Sequence, residues 1–176
     1  MNPLPDILDT GLAVVFCGIN PGLRAAATGH HFAGRNNRFW AVLHRSGFTP
    51  HVMAPEDDRR LIDYGCGLTT VVARPSARAD ELSREEFRAA APSLDRKIAA
   101  YAPRVVAFLG KQPYAVIARR PGLIWGRQDG RFGGAEVWVL PNPSGLNRAF
   151  SLALLVAAYA ELRAYLSLSV EMPGVP

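Results

Sequence analysis

The chain has 176 residues, of which 49% are hydrophobic and 20% are charged. It therefore carries enough apolar side chain to form a core, which excludes a wholly disordered polymer, and its length predicts a single domain, placed at residues 1–166. Twenty basic residues against 15 acidic ones give a net charge of +5. This charge favours polyanionic partners such as nucleic acid, although biased codon usage explains the basic composition equally well.

No apolar run reaches the roughly 18 residues that a membrane-spanning helix needs. Asp6 and Asp9 stand where a signal peptide would be basic. We therefore expect a cytoplasmic protein with no membrane partner. The two cysteines, Cys17 and Cys66, are too few for a disulfide framework or a four-thiolate metal site, and we expect both to be buried, reduced thiols. The sequence predicts neither a metal nor a cofactor.

Four apolar runs predict the strands of a sheet, and each run ends at a turn rich in glycine or proline. They span residues 12–17, 67–72, 105–109 and 137–140. Runs of this kind, without alternating polar residues, are typical of strands that are buried on both faces of a parallel sheet. The runs therefore predict a central sheet of four strands with layers on both of its faces.

Four segments with helical periodicity fill the intervals between and after these runs. They span residues 36–46, 83–101, 111–119 and 151–166. Ser83 and Glu86 have the spacing of a capping box at the start of the second segment, and Pro92 predicts an interruption within it. Strands that alternate with helices predict an α/β three-layer sandwich with a mostly parallel sheet. The tail, residues 167–176, has no periodicity and is expected to be frayed.

The loop that follows the first strand, residues 18–22, is the first candidate site, because ligands of parallel sheets bind beyond the carboxyl ends of strands. Gly18 and Gly22 permit close approach of a ligand to the backbone. The Asn20 carboxamide can donate and accept hydrogen bonds, so it can orient a water molecule. The alternative is an ordinary turn in which Asn20 caps the next helix.

The loop that follows the last strand, residues 141–148, is the second candidate site and is called the tip loop below. Two prolines stiffen it, and Ser144 and Gly145 can offer donors to a phosphate. Leu146 is an apolar residue on a polar turn. With Arg148 beside it, Leu146 has the character of a wedge that enters a base stack. The alternative is that Leu146 folds inward as a hydrophobic staple of the final helix.

Two further side chains are candidates for chemistry. Phe32 lies close in sequence to the first loop and can stack on a base, whereas Phe39 and Trp40 have the helical spacing of core residues. Asp95 lies in a helical segment beside apolar residues, where a buried carboxylate would serve as a second activator of water. The alternative for Asp95 is a surface acid paired with a neighbour such as Arg96.

Five segments, which include both loops, resemble the bacterial mismatch-specific uracil-DNA glycosylases, relatives of thymine-DNA glycosylase in the uracil-DNA glycosylase superfamily. They span residues 15–23, 37–40, 63–67, 109–112 and 137–146. The most specific of them read Gly-Ile-Asn-Pro-Gly at residues 18–22 and Asn-Pro-Ser-Gly-Leu at residues 142–146. The likeness covers most of the chain between Ile7 and Leu166. The chain departs from the family pattern at four positions, namely Arg24, Ala25, Thr70 and Asn147.

The resemblance implies a monomeric, monofunctional hydrolase that acts on duplex DNA without a cofactor. Uracil, with thymine and ethenocytosine as further candidate substrates, would be flipped out of a mismatch with guanine. Hydrolysis of the N-glycosidic bond would then leave an abasic site. Since unpairing costs least at a mismatch, the weakness of the pair supplies part of the selectivity.

The resemblance also assigns roles to residues on the side of the flipped base. Asn20 would position the attacking water, and the chemistry would be slow because an amide is a feeble general base. Phe32 would stack on the base. Backbone donors around Gly22 would hydrogen-bond the base carbonyl, and Ile19, in the same loop, would belong to the base-binding site.

Further roles follow for the side of the DNA. Leu146 would fill the gap in the base stack, and Gly145 and Arg148 would contact the guanine left without its partner. Ser144 and Asn147 would contact phosphate. Each of these residues lies in the tip loop, so the resemblance implies that this loop carries the DNA contacts.

Two other functions are consistent with the same residues. One is a nucleotide- or nucleoside-processing α/β hydrolase that uses Asn20 and Ser144 on a free small substrate. The other is a DNA-binding module without chemistry that retains Leu146 and Arg148. Activity on a free substrate would be insensitive to salt, whereas duplex binding through phosphates weakens steeply as salt rises.

Overall fold

The computed structural model describes residues 3–168, which contain five β-strands and five α-helices. The strands are β1 (Val14–Gly18), β2 (Cys66–Thr70), β3 (Val105–Leu109), β4 (Gly126–Phe132) and β5 (Ala135–Leu140). The helices are α1 (Leu23–Thr28), α2 (Phe39–Arg45), α3 (Arg84–Tyr101), α4 (Lys111–Ala118) and α5 (Leu152–Leu168). Two 3-10 segments, Pro55–Tyr64 and Ala79–Glu81, precede β2 and α3 respectively.

The sheet has the strand order β2-β1-β3-β5-β4. The four predicted strands are confirmed as β1, β2, β3 and β5, which pair in parallel. The predicted number of strands is wrong, because β4 adds a fifth, antiparallel strand at the edge beside β5. Its sequence, Gly-Arg-Gln-Asp-Gly-Arg-Phe, is polar and largely exposed. Because a polar edge strand has no apolar run, the sequence pattern did not predict it. Its extended conformation is stabilised by pairing with β5.

Alternate residues of the parallel strands pack into two separate cores, one on each face of the sheet. In β1, Val14 and Phe16 pack with residues of α2 and α5, whereas Val15 and Cys17 pack with residues of α3 and α4. Every residue of β1 and β3 is buried, as expected for strands covered on both faces. The predicted α/β three-layer sandwich is therefore confirmed.

Helix α3 runs without a break through Pro92, so the predicted interruption is wrong. Pro92 is exposed, and the contacts of the helix on either side of it outweigh one missing backbone hydrogen bond. Helix α5 extends to Leu168, two residues into the predicted tail, and residues 169–176 of that tail lie outside the described part of the chain. Among residues 3–168, no helix combines the length and the apolar character needed to cross a bilayer.

The segment that precedes β1 lies along the outer edge of β2. Ile7 and Leu68 exchange two backbone hydrogen bonds, of 2.9 and 2.8 Å. The Asp6 carboxylate accepts a hydrogen bond from the Thr69 hydroxyl at 2.7 Å and pairs with Lys97 Nζ at 2.6 Å. These contacts hold residues 4–8 against the sheet and bring Leu4 and Pro5 close to the carboxyl ends of its strands.

The two cysteines are buried and free, as the sequence predicts. Burial raises the pKa of the Cys17 thiol far above its usual range and raises the pKa of Cys66 to about 12. Both thiols therefore stay protonated at neutral pH and pack as small apolar groups.

Gly67 provides a test of the packing between the N-terminal segment and the sheet. A Cβ atom at this position would lie 2.7 Å from the Ile7 carbonyl oxygen and 2.7 Å from Leu12 Cδ1. We expect Gly67→Ala to lower the free energy of unfolding by about 1–3 kcal/mol, because it overpacks a site that contains backbone. Urea denaturation measures this loss. Gly34→Ala is the matched control and should change little, since its nearest neighbour is Asn37 Cβ at 3.9 Å.

Candidate functional site

A cavity of about 410 Å³ opens at the carboxyl ends of the parallel strands. The first loop and the tip loop both line it, so Asn20 and Leu146 lie on the walls of one cavity. Phe32 and Leu4 contribute further apolar walls. The parallel arrangement of β1 and β5 explains this convergence, because their carboxyl ends meet at the same edge of the sheet.

Asn20 is held in one orientation by two hydrogen bonds. Its Nδ2 donates to the Arg74 carbonyl oxygen at 2.8 Å and to Ser76 Oγ at 2.8 Å. Because a carbonyl oxygen accepts and does not donate, the nitrogen of the amide must face this segment. The amide oxygen has no protein donor among residues 3–168 and stays available as an acceptor. The alternative role as a helix cap is excluded, since Gly22 occupies the N-cap of α1 without a side-chain bond.

The segment that holds Asn20 is itself anchored. Ser76 is 5% exposed, and its hydroxyl donates to the Arg78 carbonyl at 2.6 Å. The Arg74 guanidinium pairs with Glu86 at 2.8 Å, and this hydrogen bond lowers the pKa of Glu86 to about 2. Glu86 also closes the capping box of α3 with Ser83. The sequence carries no local signal for this anchoring, since Asn20 and Ser76 are 56 residues apart.

Phe32 lines the cavity beside the carboxyl end of β1. Its ring stacks on Phe39, with 4.0 Å between the ring centroids. A Cβ atom at Gly18 would lie 3.7 Å from Phe32 Cζ, so the glycine leaves room for the ring beside β1. Phe39 and Trp40 are buried core residues, as the sequence predicts.

Internal hydrogen bonds shape the tip loop. The Ser144 amide donates to Asn142 Oδ1 at 2.9 Å, and the Leu146 amide donates to Ser144 Oγ at 3.2 Å. Asn147 Nδ2 donates to the Asn142 carbonyl at 2.9 Å. Leu146 is 69% exposed, which excludes the inward-folded staple. The loop therefore presents an apolar side chain on a turn whose polar groups bond to one another.

Arg38 fastens the tip loop to the rest of the protein. Its guanidinium donates to the carbonyl oxygens of Ser144 and Asn147, both at 2.9 Å, and to that of Phe150 at 2.6 Å. Its backbone amide donates to the Pro143 carbonyl at 3.0 Å. Through its side chain and its backbone amide, this one residue bonds carbonyl groups spread over eight residues. The sequence gives no signal for this role beyond the family-like segment at residues 37–40.

The tip loop also lies directly against the segment that precedes Arg38. A Cβ atom at Gly145 would lie 2.6 Å from the Asn36 carbonyl oxygen and 2.7 Å from Asn36 Cβ. Only a residue without a side chain fits this contact. Gly145 therefore brings the tip loop and the Phe32-bearing segment, residues 29–38, into van der Waals contact.

The lining of the cavity is positively charged. Within the described residues it includes Arg24, Arg78 and Arg148 and no aspartate or glutamate. Arg78 pairs with Asp80 at 2.6 Å, whereas Arg148 is exposed and has no ion pair among residues 3–168. This charge favours an anionic ligand. Since no aspartate or glutamate among the described residues lines the cavity, no carboxylate there can act as a general base.

Asp95 is not part of the site, and its prediction as a second activator of water is wrong. It is exposed, and its Oδ1 accepts a hydrogen bond from the Gly133 amide at 2.7 Å. Gly133 lies in the two-residue turn between β4 and β5, so Asp95 lies at the amino ends of the parallel strands, opposite the cavity. The helical pattern around Asp95 predicts that it lies on a helix. It does not indicate whether Asp95 lies near the amino ends or the carboxyl ends of the strands.

The other predicted site residues divide into two groups. Ile19, Gly22 and Ser144 line the cavity. Asn147 does not line the cavity. Its side-chain amide instead donates a hydrogen bond inside the tip loop. Asn142 lines the cavity although the sequence did not single it out, and its Nδ2 has no protein acceptor among residues 3–168. Residues 3–168 contain no cluster of three histidine, cysteine, aspartate or glutamate side chains that could hold a metal ion.

Comparisons with known proteins agree with this architecture. The fold is similar to the solution NMR structure of a candidate uracil DNA glycosylase from Methanosarcina acetivorans, with a TM-score of 0.57. The two chains are 22% identical, and the similarity covers 92% of this chain and 98% of the other. Residues 5–163 match the model of the uracil DNA glycosylase superfamily. Because this match extends over most of the chain, the protein belongs to the uracil DNA glycosylase superfamily.

Proposed function

We propose that this protein is a DNA repair glycosylase that excises uracil from mismatches with guanine in duplex DNA, with thymine and ethenocytosine as further substrates. Membership of the uracil DNA glycosylase superfamily supports the activity. One observation carries the rest: an exposed apolar tip, Leu146, and an oriented amide, Asn20, lie on the same positively lined cavity. A free nucleoside would need the cavity, but it would have no use for the tip.

The base reaches the cavity by leaving the helix. A pyrimidine inside a duplex is inaccessible, so the nucleotide must rotate outward, at a cost that is smallest for a mismatched pair. Phe32 stacks on the flipped base. Gly22 precedes α1, whose first-turn amides have no intrahelical acceptor and can bond the base carbonyls. The unpaired Nδ2 of Asn142 is a further donor to the base.

Leu146 occupies the space that the base vacates. Its side chain is already exposed, so insertion moves an apolar group from water into the base stack. Gly145 and Arg148 contact the guanine left without its partner, and Ser144 contacts the adjacent phosphate. Because Asn147 is bonded within the tip loop, its part in phosphate contact is to shape that loop.

Hydrolysis then breaks the N-glycosidic bond. As the bond lengthens, its electron pair moves onto the base, the sugar gains oxocarbenium character, and a water molecule adds to the anomeric carbon. Asn20 Oδ1 accepts a hydrogen bond from this water and aims its lone pair, while the water proton is lost to solvent after attack. Donors around the base stabilise its negative charge. An amide takes little of the proton, so the rate is low compared with that of a carboxylate.

The proposed function is tested with duplexes that carry uracil, thymine or ethenocytosine opposite guanine or adenine. Release of free base is measured with enzyme in excess, so that product release does not limit the rate. We expect uracil opposite guanine to be cleaved faster than uracil opposite adenine, and binding to weaken steeply with salt. Absence of base release from every duplex would contradict the function. Release from free deoxyuridine with no salt dependence would indicate a nucleoside hydrolase.

Asn20→Ala should lower the single-turnover rate by on the order of 10²-fold, because the water loses its orienting acceptor. Affinity for a duplex containing an abasic site should stay the same, as measured by fluorescence anisotropy. Asp95→Asn should keep the wild-type rate, since Asp95 lies at the opposite sheet edge. Equal rates for Asn20→Ala and wild type would remove Asn20 from the mechanism.

Leu146→Ala should weaken capture of the uracil·guanine duplex by roughly 10- to 100-fold, which corresponds to about 1.5–3 kcal/mol for an apolar side chain buried on binding. The melting temperature should not change, because Leu146 is exposed in the free protein. Leu154→Ala is the matched control, since Leu154 is also exposed, at 54%, but lies on α5 away from the cavity lining. Equal losses in both variants would contradict the role of a wedge.

A further inference from the structure

Phe32 has a backbone conformation that L-residues rarely adopt, with φ at 54°. Within residues 3–168, two other non-glycine residues have positive φ, Ala102 and Arg119. Both are C-caps of helices, where the left-handed conformation is common. Phe32 is not at a helix end, so contacts around it must hold a conformation that is unfavourable for an aromatic residue.

The residue before Phe32 supplies these contacts. His31 is 2% exposed, and its backbone amide donates to Asp58 Oδ2 at 3.0 Å. Its carbonyl accepts from Trp40 Nε1 at 3.1 Å, and its Nε2 lies 2.7 Å from the Pro5 carbonyl. Burial lowers the pKa of His31, and the neutral ring carries its hydrogen on Nε2, because a carbonyl only accepts. Three separate segments therefore fix His31.

Asp58 is the one of these partners that contributes a charge. Its side chain is 3% exposed and belongs to the 3-10 segment Pro55–Tyr64. Its other carboxylate oxygen lies 3.4 Å from His30 Nδ1. Burial of a carboxylate is costly unless it is paired. Asp58 does not line the cavity, and within residues 3–168 its carboxylate contacts the two residues that precede Phe32.

We propose that Asp58 is a positioning residue for base binding. Its carboxylate fixes the backbone of His31 and thereby holds Phe32 in the left-handed conformation that places its ring against Phe39 and beside the cavity. The inference rests on the proposed function, in which Phe32 stacks on the flipped base. It adds that the stacking surface is built by a buried acid on a distant segment, and that this acid does not touch the substrate.

A double-mutant cycle tests the connection between Asp58 and Phe32. Single-turnover rates on the uracil·guanine duplex are compared for wild type, Asp58→Ala, Phe32→Ala and the double variant. We expect Asp58→Ala to lower the wild-type rate by about tenfold and to change the Phe32→Ala rate by less than twofold. An undiminished rate in Asp58→Ala, or two effects that multiply in the double variant, would overturn the inference.

Three further variants and readouts separate positioning from general stability. Asp57→Ala, at an exposed neighbour in the same segment, should keep the wild-type rate. Asp58→Asn keeps an oxygen that accepts from the His31 amide, so it should retain at least half of that rate. If Asp58→Ala does not fold, a tenfold loss in a folded Asp58→Asn protein overturns the role of the acceptor. Affinity for an abasic duplex should be unchanged in Asp58→Ala, since no base is present to stack, and a parallel loss of this affinity counts against positioning.

A spectroscopic readout keeps this test independent of catalysis. Nuclear Overhauser effects between the Phe32 and Phe39 rings should be observed in wild type and in Asp57→Ala and should disappear in Asp58→Ala. Persistence of these effects in Asp58→Ala overturns the inference whether or not the wild type releases base. If the wild type releases no base but the Overhauser effects disappear in Asp58→Ala, the proposed function is contradicted and the positioning of Phe32 by Asp58 stands.

Discussion

The site depends on the hydrogen bonds that one guanidinium makes to the tip loop. A loop without regular structure leaves backbone carbonyls unpaired, and a loop that must project an apolar side chain cannot bury them in a core. Arg38 supplies several donors in a fixed planar arrangement and bonds the carbonyls of Ser144, Asn147 and Phe150. The loop is therefore ordered before it meets a ligand, and Leu146 is held outward at little further entropic cost.

The pairing of polar groups also governs the first loop. Asn20 uses its nitrogen to bond Arg74 and Ser76, and this choice leaves its oxygen as an acceptor. The cavity has no acidic lining among the described residues, so the proposed chemistry relies on the position of water and on stabilisation of the departing base. Under the proposed function, slow hydrolysis is the expected consequence. A low rate suits the proposed selection of mismatches by the low cost of unpairing them.

The tip loop and residues 29–38 meet through backbone, because Gly145 lies against Asn36 with no room for a side chain. Residues 29–38 therefore carry Phe32 on one side and support the tip loop on the other. In the proposed mechanism, the group that fills the base stack and the group that stacks on the flipped base rest on one segment. His31, held by Asp58 and Pro5, anchors the end of that segment nearer to Phe32.

The amino-acid sequence by itself determined the parallel strands and the loops at their carboxyl ends, because a strand buried on both faces needs a continuous apolar run and a parallel sheet collects its loops at one edge. It also identified Asn20 and Leu146 as candidates, Asn20 as an amide that can orient water beyond the end of a strand and Leu146 as an apolar residue on a polar turn. Tertiary structure alone decided the polar edge strand β4, the unbroken α3 at Pro92 and the remote position of Asp95. It also decided the anchoring roles of Arg38, Ser76 and Asp58, since their partners lie from 27 to 112 residues away. Hydrogen bonds over such separations leave no periodicity in the chain, so they become visible only when packing has brought the segments together.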